Sequence, residues 1–128
     1  MKMKYVIYLL LFLLTVSCVS YDRRTATDYT QYQNLAALIN EQTIPYILID
    51  VRSQAEYCDG YIPTASNIAH NVIKDNLPTT NKNALIIVYC RGGVRSSAAA
   101  ETLKGLGYTN VVDFGGWPKW QSDLVKCD

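Results

Sequence analysis

The fold is decided by residues 84–96, which read Ala-Leu-Ile-Ile-Val-Tyr-Cys-Arg-Gly-Gly-Val-Arg-Ser. The first six are continuously apolar, and a run without polar alternation is typical of a strand buried on both faces of a parallel sheet. The glycine pair allows a tight turn, and the alanine-rich segment 96–106 predicts a helix that Gly105 and Gly107 end. Cys90 would then follow the most hydrophobic strand of an α/β fold, at the edge where such sheets bind ligands.

The chain on either side repeats this alternation of strands and helices. Leu35, Leu38 and Ile39 lie at helical spacing, and residues 46–49 form a second continuous apolar run. The further predicted elements are a helix over 31–41, strands over 46–49, 66–69 and 111–114, a poor helix over 71–77 and a short C-terminal helix that opens at 115–118. The pattern predicts an α/β fold with a mainly parallel central sheet flanked by helices on both faces.

The sequence also predicts the start of a helix shortly after the second apolar run, residues 46–49. Ser53 can cap a short helix, and Glu56 three residues later completes a capping box. Arg52 and Glu56 are four residues apart, so we expect an ordinary ion pair between them. Asp50, at the strand end, is expected to cap the next turn or to hydrogen-bond towards the Cys90 loop, in a structural role.

The loop after Cys90 has the composition of a reactive-thiol site. Its glycines let backbone amides point inward, and such a nest beside a helix N-terminus binds anions. Two arginines add positive charge, and all of these features lower a thiol pKa and favour the thiolate. Cys90 is therefore the predicted nucleophile of a covalent mechanism. The predicted anion-binding loop comprises Arg91, Gly92, Gly93, Val94, Arg95 and Ser96.

Two chemistries use such an anion-binding loop: cysteine phosphatases, with arsenate reductases, and sulfurtransferases. Phosphatase loops place one more residue between the cysteine and the arginine than the four that separate Cys90 from Arg95. A shorter loop makes a smaller cup, which suits one terminal sulfur better than a phosphate. We therefore expect sulfur chemistry and keep the phosphatase or arsenate reductase reading as the less favoured alternative.

Three motifs resemble the rhodanese family of single-domain sulfurtransferases, of the exported type. Residues 90–96 match the family loop Cys-Arg-x-Gly-x-Arg-Ser at every fixed position. Residues 50–63 resemble its Asp-Val-Arg-x-x-x-Glu-Tyr segment with the following Gly-His-Ile-Pro, and residues 115–120 resemble its terminal Gly-Gly-Trp-x-x-Trp. The resemblance covers about residues 31–126. Tyr61 replaces the usual histidine and Thr64 the usual glycine, which should alter a local turn.

This resemblance implies a two-step transfer of sulfane sulfur through a Cys90 persulfide, without a cofactor or a metal. The implied partners are a small-molecule donor, thiosulfate or a persulfide, and a thiol or cyanide acceptor. Arg95 would brace the loop, and Arg91 would face solvent and attract an anionic donor. Asp50, Arg52 and Trp117 are the expected supports of the loop or pocket. A rhodanese-fold binding module without turnover is the alternative from another class, although such modules usually lack the cysteine.

The first residues predict export from the cytoplasm. Residues 1–17 combine two lysines with a short apolar run, as an export signal does. The small residues before Cys18 resemble a bacterial lipoprotein signal, which predicts a lipid on Cys18 as the sole membrane attachment. Conventional cleavage near Ser17 is the alternative. The predicted organisation is signal 1–17, polar tether 18–30 and rhodanese-like domain 31–128, in the periplasm or cell envelope.

Composition and cysteine count add two expectations. The chain of 128 residues is 49% hydrophobic and 18% charged, as one globular domain would be, and its formal net charge of +1 gives no sign of nucleic-acid binding. If Cys18 carries a lipid and Cys90 is catalytic, Cys58 and Cys127 remain. In an oxidising compartment these two can form a disulfide.

Overall fold

The computed structural model describes residues 27–128, so the predicted export signal, Cys18 and most of the predicted tether lie outside the described residues. In chain order the elements are α1 (Tyr32–Glu41), β1 (Ile47–Asp50), α2 (Gln54–Asp59), β2 (Ser66–Asn67), β3 (Ile86–Cys90), α3 (Val94–Gly105), β4 (Val111–Gly116) and a 3-10 helix (Trp117–Lys119). Within residues 27–128, no helix has the length and apolar content that crossing a bilayer requires.

The four strands form one parallel sheet in the order β2-β1-β3-β4. The apolar run before Cys90 forms β3, which pairs with β1 on one side and β4 on the other. Cys90, its last residue, lies opposite Gly116 of β4. Because the strands are parallel, their carboxyl ends share one edge, and Cys90 lies at the middle of that edge.

Side chains alternate between the two faces of the sheet, and each face is covered by a helix. One face packs on α1 through a cluster that includes Leu35, Leu38, Leu48, Ile87 and Tyr89. The other packs on α3 through a cluster that includes Ile49, Val88, Cys90, Ala99 and Leu103. The expected α/β class, with helices on both faces of a parallel sheet, is confirmed.

The segment 71–77 forms turns and not the predicted helix. Its backbone bonds are mainly of the i→i+3 type, such as Val72 N–H to the Ala69 carbonyl (3.0 Å). The Asn76 side chain donates to the Val72 carbonyl (3.0 Å), and side-chain bonds of this kind compete with helix formation. Val72 and Ile73 are β-branched, which further disfavours a helix. Ile73 is fully buried, so its burial in the core decides the local path.

Helix α3 begins at Val94, two residues before the predicted start at Ser96. Gly93 permits this because its φ of 97° lies in the left-handed region, which glycine adopts at little cost. The chain therefore enters the helix directly from the turn. As a result, the free amides of the first helical turn lie close to the end of β3.

Candidate active site at the Cys90 loop

Cys90 lies at the bottom of a short loop between β3 and α3. Its side chain is 1% exposed, whereas Arg91 and Gly92, which follow it, are exposed. The buried position follows from the sequence, because Cys90 ends a fully buried strand. The sulfur is thus held inside the protein, one residue before the chain returns to the surface.

Backbone amides point at the sulfur, as the sequence predicts. The Gly93 N–H donates to Cys90 Sγ over 3.0 Å, and the Ser96 N–H donates over 3.3 Å. The second amide belongs to the first turn of α3, whose N-terminal dipole end also favours negative charge. The loop therefore forms an anion-binding cup around the sulfur position.

The cup lowers the pKa of the Cys90 thiol. Burial acts in the opposite direction, but hydrogen bonds from the Ser96 hydroxyl and from the amides of Ser96, Gly93 and Gly92 outweigh it. The Ser96 hydroxyl has one proton and two acceptors within reach, because it also donates to the Gly93 carbonyl (3.0 Å). The hydroxyl can donate its hydrogen bond to the sulfur once the thiol has ionised. The geometry thus favours a thiolate nucleophile.

Arg95 braces the loop by pairing with Glu56 of α2. Its guanidinium makes a bidentate contact, with Nη1 to Oε2 at 2.8 Å and Nη2 to Oε1 at 3.0 Å. The hydrogen bond from Arg95 is the main reason that the pKa of Glu56 falls to about 2. Glu56 also accepts from the Ser53 backbone N–H (3.1 Å), as the predicted capping box requires. One carboxylate therefore joins the start of α2 to the active loop.

The expected pairing of Arg52 with Glu56 is wrong. Arg52 precedes α2 and pairs with Asp50, with Nη2 to Oδ2 at 2.6 Å, and both side chains are buried. Asp50 also caps the turn by accepting the Arg52 backbone N–H (2.9 Å). A buried carboxylate and guanidinium satisfy one another here, which leaves Glu56 available to Arg95.

Arg52 connects this buried pair to two further segments. It donates to the Gly60 carbonyl (2.6 Å), and its Cζ lies 4.4 Å from the centroid of the Trp117 ring. Asp50, Arg52 and Trp117 therefore support the edge of the sheet next to the loop. Asp50 takes the capping role that the sequence predicts and makes no hydrogen bond to residues 91–96.

The exposed rim of the cup is formed by Arg91 and Val94. Arg91 faces solvent, as predicted, and Val94 is 82% exposed. Neither the pairing of Arg95 with Glu56 nor the position of the C-terminal tail was foreseen from the sequence. The spacing of Arg52 and Glu56 favoured a local pair, and no motif marks the tail, residues 121–128.

The predicted pairing of Cys58 with Cys127 is present as a disulfide, with a Cα–Cα distance of 4.7 Å. Among the described residues, Cys90 is the one free cysteine. Within the same range, no three His, Cys, Asp or Glu side chains gather in a way that could hold a metal ion. Cys90 thus supplies the free thiol of this candidate site.

Comparison with known proteins identifies this scaffold. Residues 31–123 match the family model described as rhodanese-like domain. The chain is 37% identical over 70 residues to the thiosulfate sulfurtransferase PspE of Escherichia coli, covering 53% of this chain and 67% of that protein. It is 37% identical over 89 residues to the adenylyltransferase and sulfurtransferase uba4 of Ogataea parapolymorpha, covering 67% of this chain but 22% of that protein.

The solved structures agree with these sequence matches. The rhodanese-like domain protein from Staphylococcus aureus superimposes with a TM-score of 0.67 at 34% identity, covering 77% of this chain and 96% of that one. The human single-domain sulfurtransferase TSTD1, at 24% identity and a TM-score of 0.63, shares the fold. The family match spans most of the chain and includes the Cys90 loop. The chain therefore belongs to the rhodanese-like domain family, whose members similar to this chain include sulfurtransferases such as PspE.

Proposed function

We propose that this protein transfers a sulfane sulfur from thiosulfate or a persulfide donor to a thiol or cyanide acceptor through a persulfide on Cys90. The observation that carries the proposal is the cup itself. Two backbone amides lie within 3.3 Å of Cys90 Sγ, inside a loop with four residues between Cys90 and Arg95. A cup of this size suits one anionic sulfur atom.

In the first step, the Cys90 thiolate attacks the outer sulfur of thiosulfate. A new sulfur–sulfur bond forms, the old one breaks, and sulfite leaves with its electron pair. The outer sulfur remains on Cys90 as an anionic persulfide. Inward-facing amides such as those of Gly93 and Ser96 stabilise that charge without reorganisation, as an oxyanion hole does for oxygen.

In the second step, cyanide or a thiolate attacks the terminal sulfur of the persulfide. The sulfur leaves with the acceptor, as thiocyanate or as a new persulfide, and the Cys90 thiolate is restored. Arg91, exposed at the rim, attracts both the anionic donor and an anionic acceptor. Arg95 is a positioning residue, since its guanidinium is occupied by Glu56.

The proposal is tested by steady-state turnover of thiosulfate and cyanide, measured as thiocyanate. Wild-type protein should turn over, and Cys90→Ser should lose at least about a thousandfold, because the nucleophile is removed. An aryl phosphate tests the phosphatase alternative in parallel. Absence of thiocyanate from wild type, or turnover of the aryl phosphate at a comparable rate, would overturn the proposal.

We further propose that the protein works outside the cytoplasm and that a lipid on Cys18 is its membrane attachment. The support is the sequence pattern of residues 1–18, together with a disulfide that suits an oxidising compartment. Thr27, the first described residue, lines a surface groove with Glu41 and Thr43. These two residues precede β1, so they lie at the end of the sheet opposite Cys90.

A further inference from the structure

A groove of about 300 Å³ lies at the carboxyl edge of the sheet, outside the Cys90 cup. Its walls are lined by Trp117, Pro118, Trp120, Ser122 and Leu124. All of these except Ser122 are apolar, and two are indoles. The catalytic steps described above use none of them as a reacting group.

The first wall of the groove begins directly beside the active loop. Cys90 lies opposite Gly116 in the paired strands β3 and β4, and neighbouring strands are about 4.8 Å apart. A Cβ atom built on Gly116 would meet the Arg91 carbonyl at 2.8 Å, so the two backbones are in contact. Trp117 and Pro118 follow at once, which places this wall next to the rim of the cup.

The second wall is the C-terminal tail, and the disulfide fixes it. The Tyr61 N–H donates to the Val125 carbonyl (2.8 Å), and the Val125 N–H donates back (2.9 Å). The Cys58–Cys127 disulfide closes this short antiparallel contact. Leu124 packs against Gly60 and reaches the groove from this anchored tail. The groove is therefore preformed.

Lys119 and Asp123, which are exposed and of opposite sign, lie in the chain between the residues that line the groove, and three arginines lie at or beside the cup. Glu56 neutralises Arg95, and Asp50 neutralises Arg52. Arg91 makes no ion pair within residues 27–128, so it adds an exposed cation at the loop, beside the first wall of the groove. A ligand that fits both the Cys90 cup and the apolar groove has an anionic sulfur at one end and an apolar body at the other.

We propose that the groove binds the apolar body of an organic sulfane-sulfur donor whose anionic sulfur enters the Cys90 cup. This inference rests on the proposed sulfur transfer and adds the substrate class. With an organic thiosulfonate, the Cys90 thiolate bonds to the outer sulfur, the donor's sulfur–sulfur bond breaks, and a sulfinate leaves with the electron pair. The step is balanced and requires no oxidant or reductant.

The test compares two thiosulfonate donors that differ in their organic group, benzenethiosulfonate with a phenyl ring and methanethiosulfonate with a methyl group. Thiosulfate is the reference donor. Loading of Cys90 is measured in single turnover without an acceptor, as release of sulfinate or sulfite. The rate ratio of the aryl to the methyl donor is divided by the same ratio for free cysteine, which removes intrinsic reactivity. We expect a corrected ratio of roughly ten in wild type, because burial of a phenyl ring is favourable.

Leu124→Ala should lower the corrected ratio about threefold or more, since it removes one wall. Leu77→Ala is the matched control, because Leu77 is 45% exposed, Leu124 is 39% exposed, and Leu77 lies outside the groove. The double variant Cys58→Ser/Cys127→Ser releases the tail without leaving a free thiol, and it should reproduce the effect of Leu124→Ala.

A corrected ratio near one in wild type, or an equal fall in Leu124→Ala and Leu77→Ala, would overturn the groove proposal. An equal loss for both donors in the tail variants would do the same, because it would show general damage to the loop. Failure to load with thiosulfate as well would instead refute the proposed sulfur transfer, and the groove proposal with it.

Discussion

At the scale of single residues, the chemistry depends on how Cys90 is held. Its burial opposes ionisation, and hydrogen bonds from Ser96, Gly93 and Gly92 reverse that effect, so the pKa of the thiol is below its ordinary value. Ser96 acts on the sulfur in two ways, because its amide donates to Cys90 Sγ and its buried hydroxyl also lowers the pKa of the thiol. The reactive state is thus built from backbone geometry and one hydroxyl.

Ser96→Ala should move the pH profile of Cys90 loading to higher pH. The native interactions lower the pKa, so the thiolate is present at lower pH than in a free cysteine; loss of the hydroxyl raises the pKa and removes thiolate at the acidic end. We expect a several-fold slower reaction on the acidic limb and little change on the alkaline plateau, since a hydrogen bond to a charged group contributes about 1.5 kcal/mol or more.

The measurement is the rate of sulfite release from thiosulfate across pH, in single turnover. Ser97→Ala is the matched control, because Ser97 is exposed, lies one position further along α3, and makes no hydrogen bond to the sulfur. An unshifted profile in Ser96→Ala, or an equal shift in both variants, would contradict the assigned role of the hydroxyl.

At the scale of elements, the loop is positioned by its contact with the end of β4. Gly93 is in the left-handed region, and a Cβ there would lie 3.9 Å from the Gly115 Cα, which is ordinary contact. Gly116 is tighter, because its Cβ would lie 2.8 Å from the backbone of Arg91. Strand β4 therefore supports the cup from the side as well as completing the sheet.

Gly116→Ala should displace the loop and weaken the fold. Because the clash is with backbone, we expect a loss of about 1–3 kcal/mol in the free energy of unfolding, together with slower thiosulfate loading. Gly105→Ala is the matched control, since nothing lies within 4 Å of its Cβ position and alanine favours a helix. Urea unfolding and loading rates measure both effects. Equal unfolding free energies and equal loading rates in the two variants would refute the proposal that the end of β4 supports the Cys90 loop.

The sequence predicted the elements that local pattern determines. The apolar run before Cys90, the glycine turn and the capping box at Ser53 each act over a few residues, and the structure confirms them. Contacts across the fold were not readable in this way. Glu56 pairs with Arg95, 39 residues away, because Asp50 already holds Arg52. Burial of Ile73 likewise overrode the weak helical pattern around it.

At the scale of the whole molecule, one covalent link ties the last residues of the domain to α2. The Cys58–Cys127 disulfide spans a sequence separation of 69 residues, and links of this kind stabilise small domains by about 2–4 kcal/mol. The same segment, α2 with the following Gly60, carries Glu56, which pairs with Arg95 of the loop. The Gly60 carbonyl accepts from Arg52 of the buried ion pair, and Leu124 of the tail lies against Gly60. The tail, the Glu56–Arg95 pair and the buried Asp50–Arg52 pair are therefore connected through this segment. These connected contacts lie beside the predicted sulfur cup.

The most direct test of the central claim is the intact mass of the mature protein, purified with its native N-terminus, before and after thiosulfate treatment. The account predicts a gain of one sulfur atom on wild type, its removal by cyanide, and no gain in Cys90→Ser. The same spectrum would show an acyl modification at Cys18. A wild-type protein without the added sulfur, or an adduct that persists in Cys90→Ser, would contradict the account.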